Sequence, residues 1–271
     1  MISLLTMNIG YIGSHQGDIV GSYPISNFLY SFIVNWDAQS LVTLHQISWW
    51  THIMLVLIFL NELPYSKHFH VVMSIPNVYF SNIEHLGKIE NLPSVTSEVK
   101  LMMDPNADPY TAPVDALPPE AFGAKDVTDL NWVQLMNAYS CTECGRCTSE
   151  CPANQTGKLL SPRKIMMDTR QRLKEVGKNI DKHGKDYDDN KSLLNDYIST
   201  EELWACTTCN ACTQACPLNI DPLSIIVDLR RYLVMEKSAA PQELNMMFTN
   251  VENNGAPWQF SAADRLNWKD E

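Results

Sequence analysis

The longest apolar run in the chain is LVTLHQISWWTHIMLVLIFLNEL, residues 41–63. Coiled as a helix, a run of this length rises about 34 Å, enough to cross a hydrocarbon core about 30 Å thick. Trp49 and Trp50 lie in its first half and Tyr65 just beyond its end, where amphipathic rings meet a membrane interface. No Lys or Arg precedes Lys67, whereas basic residues are common after it. The positive-inside bias then puts the N-terminus outside and everything after the span in the cytoplasm. The competing expectation is a buried helix of a water-soluble domain, because the densest apolar stretch, Ile53–Leu60, is short. Residues 1–14 (MISLLTMNIGYIGS) read as the tail of a preceding helix, as in an N-terminally shortened membrane protein.

Beyond the span the pattern changes. Residues 71–93 are amphipathic and suit a segment lying on the cytoplasmic surface, with His85 solvated. Residues 101–126 carry five prolines and no periodicity, which suits an extended connector. From there the pattern is helical. Leu130, Trp132, Leu135 and Met136 recur at helical intervals within 126–140. Ser161-Pro162 supplies a cap and first-turn proline for a helix over 162–178. A charged stretch, 178–191, reads as a loop with His183 exposed. Ser199 to Glu202 reads as a capping box, and Asp221-Pro222 opens a helix over 222–238 with Leu223, Ile226, Leu229 and Leu233 on one side. A last helix over 242–253 stops at Gly255.

Charge narrows the partners. The 271 residues hold 20 Lys+Arg against 31 Asp+Glu, a net charge of −11. Phosphate backbones need a basic surface, so nucleic acid is excluded as a ligand.

The chemistry is concentrated in the cysteines. Cys141, Cys144, Cys147 and Cys151 read CTECGRCTSECP, and Cys206, Cys209, Cys212 and Cys216 read CTTCNACTQACP; no cysteine is left over. This Cys-x-x-Cys-x-x-Cys-x-x-x-Cys-Pro run is the bacterial ferredoxin spacing, so two copies predict two 4Fe–4S clusters. Thiolates at i, i+3 and i+6 on a tight turn reach three iron corners of a cube, and the fourth corner needs a more distant ligand. In two-cluster ferredoxins the last Cys of each run serves the other cluster. The expected sets are therefore Cys141, Cys144, Cys147 and Cys216 for the first cluster, and Cys206, Cys209, Cys212 and Cys151 for the second. A zinc ribbon is the rival reading, but it needs neither the third Cys nor the Cys-Pro. Disulfides would need a secreted framework that the sequence lacks. Arg146 and Lys164 are candidates for placing positive charge near a cluster, with a solvated surface position as the plain alternative.

The histidines of the apolar segment add a second candidate. His52 and His70 are 18 positions apart, five turns on one helix face, and would lie about 27 Å apart along a continuous helix. His45 shares that face. Ionisable groups within a span are usually functional, and histidine is a common axial haem ligand. The plain alternative leaves His68 and His70 interfacial and His52 hydrogen-bonded to a neighbouring helix.

Two resemblances sharpen these readings. HIMLVLIFLNELPYSKHFH, from His52 to His70, resembles the last haem-binding helix of the nitrate reductase gamma family, including its P-[FY]-S-[RK] element at Pro64, Tyr65, Ser66 and Lys67. The resemblance implies that His52 and His70 each ligate a different b-type haem. The second ligand would then come from another helix, which a further membrane subunit would have to supply. Residues 126–260, with both cysteine motifs, CPLNIDP and DLRRYLVME, resemble the α-helical ferredoxin domain of heterodisulfide reductase C subunits. More distantly they resemble the iron–sulfur subunits of succinate dehydrogenase and of glycolate or glycerol-3-phosphate dehydrogenases. Such chains hand electrons to a catalytic partner bearing Cys-Cys-Gly motifs, which this sequence lacks.

The expected organisation is mostly α: an N-terminal segment (1–40), one transmembrane helix (41–70), a surface segment and connector (71–125), an α-helical ferredoxin domain with two cubane clusters (126–260), and a tail (261–271). The expected role is a single-pass, membrane-anchored electron-transfer subunit between a quinone and haem b module and a Cys-Cys-Gly-type catalytic partner. The alternatives are a self-sufficient iron–sulfur oxidoreductase, for which no dinucleotide fingerprint or spare Cys is present, and a redox-sensing or structural cluster module.

Overall fold

A computed structural model describes residues 1–15, 21–104, 121–185 and 187–269, without the side chains of Ser94 and Ala262. Among these residues the chain is helical, with no strand. Its contacts divide it into two compact units, Met1–Phe69 and His70–Glu271.

The first unit is a helical hairpin with a short helix between its arms: α1 (Ile2–Ser14), α2 (Pro24–Tyr30) and α3 (Ala38–Glu62). Asp37 caps α3 by accepting from the Ser40 N–H at 3.0 Å. Helices α1 and α3 run antiparallel, since Ser3 meets His52 and Met7 meets His45. Two glycines allow the close approach. A Cβ on Gly10 would lie 2.7 Å from the His45 backbone nitrogen, and one on Gly13 would lie 2.6 Å from Leu41. Small residues at such crossings let helix backbones pack tightly. The rest of α3 is apolar and uncovered: Trp50, Met54, Leu55, Leu57, Ile58, Phe59 and Leu60 are all exposed. A helix this long and apolar, with 11% of its most apolar window buried, matches a membrane span in length and composition.

The helix expected over 41–70 differs in one respect that matters. It ends at Glu62, a 3-10 turn covers Leu63–Tyr65, and Ser66 is extended. Proline lacks an N–H and clashes with the preceding turn, so Pro64 ends the helix. His52 and His70 therefore do not share the face of one continuous helix.

In the second unit, α4 (Phe69–Tyr79) and α5 (Pro93–Met103) precede the part that holds the cysteines. Residues 105–120, most of the expected connector, lie outside the described residues. Its end is packed rather than extended. Ala124 donates to the Asp228 carbonyl at 3.0 Å, and Gly123, with φ +78°, lies so close that a Cβ would sit 2.3 Å from that oxygen. Two successive capping boxes, Asp126 with Asp129 and Asn131 with Gln134, split the helix expected over 126–140 into a 3-10 turn (Val127–Asp129) and α6 (Trp132–Ser140).

The cysteine motifs contribute short helices: α7 (Arg146–Ser149) and α8 (Pro152–Gln155) from the first, and α12 (Ala211–Gln214) from the second. Between them α9 (Pro162–His183) is capped by Ser161 and runs past residue 178 to Gly184, whose N–H bonds back to Ile180. Lys182 and His183 in its last turn complement the helix dipole, which explains how a charged stretch stays helical. After the single turn α10 (Leu193–Asp196), the Ser199–Glu202 capping box starts α11 (Thr200–Trp204) as expected. Helix α13 (Pro222–Arg231) passes into a π turn (Tyr232–Glu236), and α14 (Gln242–Asn254) ends on left-handed Gly255.

The core of this unit gathers Val127, Leu160, Ile165, Met166, Leu193, Ile198, Leu203, Ile225, Ile226 and Leu229, all at most 1% exposed. One cation is buried beside it. Arg172, 3% exposed, binds both Asp126 and Asp189 at 2.6 Å and donates to the Lys191 carbonyl at 2.7 Å. This fork ties α9 to the chain entering the domain at Asp126 and to the segment that follows α9. The Arg172 pairing holds the Asp189 carboxyl down at about 2, and the hydrogen bonds that the guanidinium donates to the two carboxylates raise it further above its already high value.

Candidate iron–sulfur site

Each cysteine motif folds into a loop that alternates ordinary and left-handed residues. In the first, Glu143 (φ 60°) and Gly145 (φ 84°) are left-handed; in the second, Thr208 (φ 56°) and Asn210 (φ 60°) occupy the equivalent positions. A β-branched residue in that region is strained, and such strain is retained where the backbone must take a set shape. The result turns successive N–H groups inward as a nest, a concavity suited to anions, including cluster sulfur. The Thr208 N–H already points at the Cys206 sulfur, 3.4 Å away.

Each loop lends its last cysteine to the wall of the other loop's cavity. One cavity is lined by Cys141, Cys144, Cys147 and, from the other motif, Cys216. A second is lined by Cys206, Cys209, Cys212 and, from the first motif, Cys151. Cys212 also reaches the wall of the first cavity, so the two are neighbours. Cys151 and Cys212 are buried, and Cys144 and Cys209 are exposed. Among the described residues no three His, Cys, Asp or Glu side chains converge tightly enough to hold a single metal ion. Four sulfurs around a void, with N–H nests beside them, fit a polynuclear iron–sulfur guest. Burial pushes the thiols of Cys141, Cys147 and Cys206 up, and that of Cys212 up to about 12. Thiolates in such surroundings need a cationic guest, which iron supplies.

Two arginines brace the loops, and the sequence did not single them out. Arg170 on α9 donates to the Cys141 carbonyl at 3.0 Å and pairs with Glu143. Arg230 on α13 donates to the Cys206 carbonyl at 2.6 Å and to the Leu203 carbonyl, with its guanidinium 4.9 Å from the Trp204 ring centre. Burial lowers the Arg230 pKa. Each motif thus has its first cysteine held by a guanidinium from the helix after it. Their signal was the position of an Arg in the following helix, a spacing no single motif encodes. Of the two cations that the sequence offered, Arg146 lines the first cavity, whereas Lys164 is occupied with Glu202 at 2.7 Å and Asp168 at 3.2 Å.

The histidines fall in different places. His52 lies in α3, its Nδ1 3.1 Å from the Ser3 hydroxyl, and His45 Nδ1 lies 2.9 Å from the Met7 carbonyl. Such contacts fix ring orientation and leave Nε2 as the free edge. His70 lies beyond the break at Pro64, in the second unit. His85 and His183 are exposed, as expected.

Comparison with known proteins agrees with this geometry. Residues 140–220 match the 4Fe-4S dicluster domain family. The whole chain is similar to a probable iron-sulfur-binding oxidoreductase, FadF, of Bacillus subtilis, at 31% identity over 40% of that protein. Over 92% of its length it is 28% identical to an EtfAB:quinone oxidoreductase of Syntrophomonas wolfei, covering 34% of that protein. Over 54% of its length it is 33% identical to a probable membrane-anchored ferredoxin of Chromohalobacter salexigens, covering 24% of that protein. Over shorter stretches it is similar to heterodisulfide reductase subunits of Methanosarcina acetivorans, one of them at 32% identity over 40% of this chain and 53% of the relative. No solved structure matches. The chain spans about two-fifths or less of the three long relatives. It carries a 4Fe–4S domain, and among the described residues it is helical with one helix of membrane-spanning character; its relatives are iron–sulfur redox proteins and subunits.

Proposed function

We propose that this chain is a membrane-anchored iron–sulfur subunit that carries electrons between a membrane quinone and haem b module and a catalytic partner of the Cys-Cys-Gly type. The observation that carries the reading is a pair of neighbouring cavities that all eight cysteines line, each with three cysteines from one motif beside the last cysteine of the other, and Cys212 on both walls. In this reading Cys141, Cys144, Cys147 and Cys216 hold one 4Fe–4S cluster, and Cys206, Cys209, Cys212 and Cys151 the other. The clusters would supply one-electron storage and transfer, and no cysteine is left for disulfide chemistry.

The protein's part is to bind and to tune. The loop N–H groups and the guanidiniums of Arg170 and Arg230 face the motifs with positive charge, which favours the reduced, more negative state. The buried cysteines keep water from one side of each quartet, and exposed Cys144 and Cys209 leave an edge through which a partner can exchange electrons. Helix α3 is the anchor, with the N-terminus outside and the cluster domain in the cytoplasm. A relative named an EtfAB:quinone oxidoreductase supports quinone at one end of the path, and a relative that is a heterodisulfide reductase subunit supports a partner at the other. In the same reading His52, oriented by Ser3, and His70 are axial ligands of separate b haems, as in the nitrate reductase gamma family, with the remaining ligands from a further membrane subunit.

The test uses membranes containing the intact complex. A quinol analogue should reduce both clusters, seen by low-temperature EPR, and pyridine haemochrome should report b-type haem. Clusters that dithionite reduces but no quinol or quinone exchanges with would refute the electron-carrier reading. Haem-free membranes with normal exchange would remove His52 and His70 from it.

A further inference from the structure

We infer that Asn77, on α4, is a positioning residue for Cys216, and that α4 thereby holds the two halves of the first quartet in register. The inference rests on the assignment of Cys216 to the first cluster.

Helix α4, which opens the second unit, grips both stretches of chain that feed the first cavity. Asn77 Nδ2 donates to the Leu218 carbonyl at 2.8 Å, and Leu218 and Pro217 line that cavity beside Cys216. Their turn is closed by the Asn219 N–H, which donates to the Cys216 carbonyl at 3.2 Å. The Asn219 side chain in turn donates to the Ser81 hydroxyl, just beyond α4, at 3.2 Å. On the other side stands Ser140, the residue before Cys141, with no exposed surface. Its hydroxyl lies 2.9 Å from the Met136 carbonyl and 3.2 Å from the Met73 carbonyl of α4. The helix thus joins the flanks of the first and last cysteines of the first quartet, which come from different motifs.

The turn after Cys151 is held differently. Asn154 stands third after Cys151 as Asn219 stands third after Cys216. It donates to the Leu160 carbonyl at 2.9 Å, within its own loop.

Asn77 is a poor choice for stability alone. It is 1% exposed, and its Oδ1 is buried with no hydrogen-bond partner among the described residues. A buried unpaired acceptor costs at least as much as one hydrogen bond returns, and a leucine of similar shape carries no such cost. What the amide supplies and leucine cannot is direction. Its N–H fixes where the Leu218 carbonyl lies, and so where the backbone of Cys216 lies two residues earlier. Three cysteines of a cluster sit on one loop and the fourth comes from elsewhere, so the placement of this turn governs how firmly the fourth binds. Removing a group that orients a metal ligand weakens the site by about tenfold or more.

The experiment uses the anaerobically purified full chain with its clusters, in detergent. Iron release to a chelator and low-temperature EPR are followed together. Cys216→Ser marks the EPR signal that needs Cys216, and Cys144→Ser marks that of the first motif. In Asn77→Leu the Cys216-dependent signal should change shape. Half of the iron should leave about tenfold faster, and the other half at the rate of the unsubstituted protein, with unchanged helical circular dichroism. Ser140→Ala, which removes only a hydroxyl, should act on the same half, and Asn154→Leu on the other. Unchanged release and EPR in both Asn77→Leu and Ser140→Ala, or equal acceleration of both halves, would overturn the role of Asn77 and α4. If that happens while Cys216→Ser and Cys144→Ser strike the same signal, the positioning falls and the crossed assignment stands. If Cys216→Ser and Asn77→Leu together strike the signal that Cys144→Ser spares, the crossed assignment falls and Asn77 keeps its role toward Cys216.

Discussion

Replacing Arg230 by Met should lower the reduction potential of one cluster and leave the other nearly unchanged. Its guanidinium donates to the Cys206 and Leu203 carbonyls and stacks on Trp204, so the charge is fixed beside the second motif. Reduction adds one negative charge to the cluster. With a separation of about 7 Å and an effective dielectric of about 20, the attraction between that charge and the guanidinium is roughly 2 kcal/mol. For a one-electron couple this corresponds to about 100 mV, and solvent at the exposed Cys209 edge brings the expectation to about 50–100 mV. An EPR-monitored redox titration of the anaerobic holoprotein reads both clusters at once. The potential of the cluster held by Cys206, Cys209, Cys212 and Cys151 should fall by that amount, while its neighbour moves far less. Arg230→Lys retains the charge without the planar fork and should recover most of the potential. A shift of the wrong sign, no shift, or equal shifts at both clusters would refute the electrostatic role of Arg230.

Other outcomes follow from the same contacts. Arg172→Met leaves Asp126 and Asp189 without their cation in a site where the arginine is 3% exposed, and should cost about 3–5 kcal/mol, measured as an earlier loss of cluster absorbance on heating. Asp189, held at about 2 by Arg172, contributes stability that is full above about pH 4 and is lost as the pH falls through about 2. Because its carboxylate is 14% exposed, the contribution is about 1–2 kcal/mol, and Asp189→Asn should flatten that part of the acid-unfolding curve. Gly123→Ala forces a Cβ against the Asp228 carbonyl in a left-handed conformation and should destabilise the domain by more than about 1 kcal/mol, seen in urea unfolding.

The two cysteine motifs were the most legible feature of the chain, because their spacing is local and the 4Fe-4S dicluster domain match falls on both of them. Capping signals were legible for the same local reason: Ser161, Ser199, Asp221 and Gly255 act where their side chains or backbone freedom predict. What could not be read was relational. Arg170 and Arg230 brace the loops from helices whose placement depends on the packed core. The helix over 162–178 ran longer than its charge pattern suggested, since a favourable last turn and Gly184 set its end. The His52–His70 face was overestimated because apolar periodicity carries no penalty for Pro64, whereas the backbone does.

The central claim is that the motifs exchange their last ligands, and Cys216→Ser tests it most directly. Iron analysis and EPR of the anaerobic variant should show the cluster of Cys141, Cys144 and Cys147 lost or altered, with the cluster of Cys206, Cys209 and Cys212 intact. Damage confined to the second motif's cluster would contradict the crossed arrangement, and about four irons per chain in the unsubstituted protein would contradict two clusters altogether.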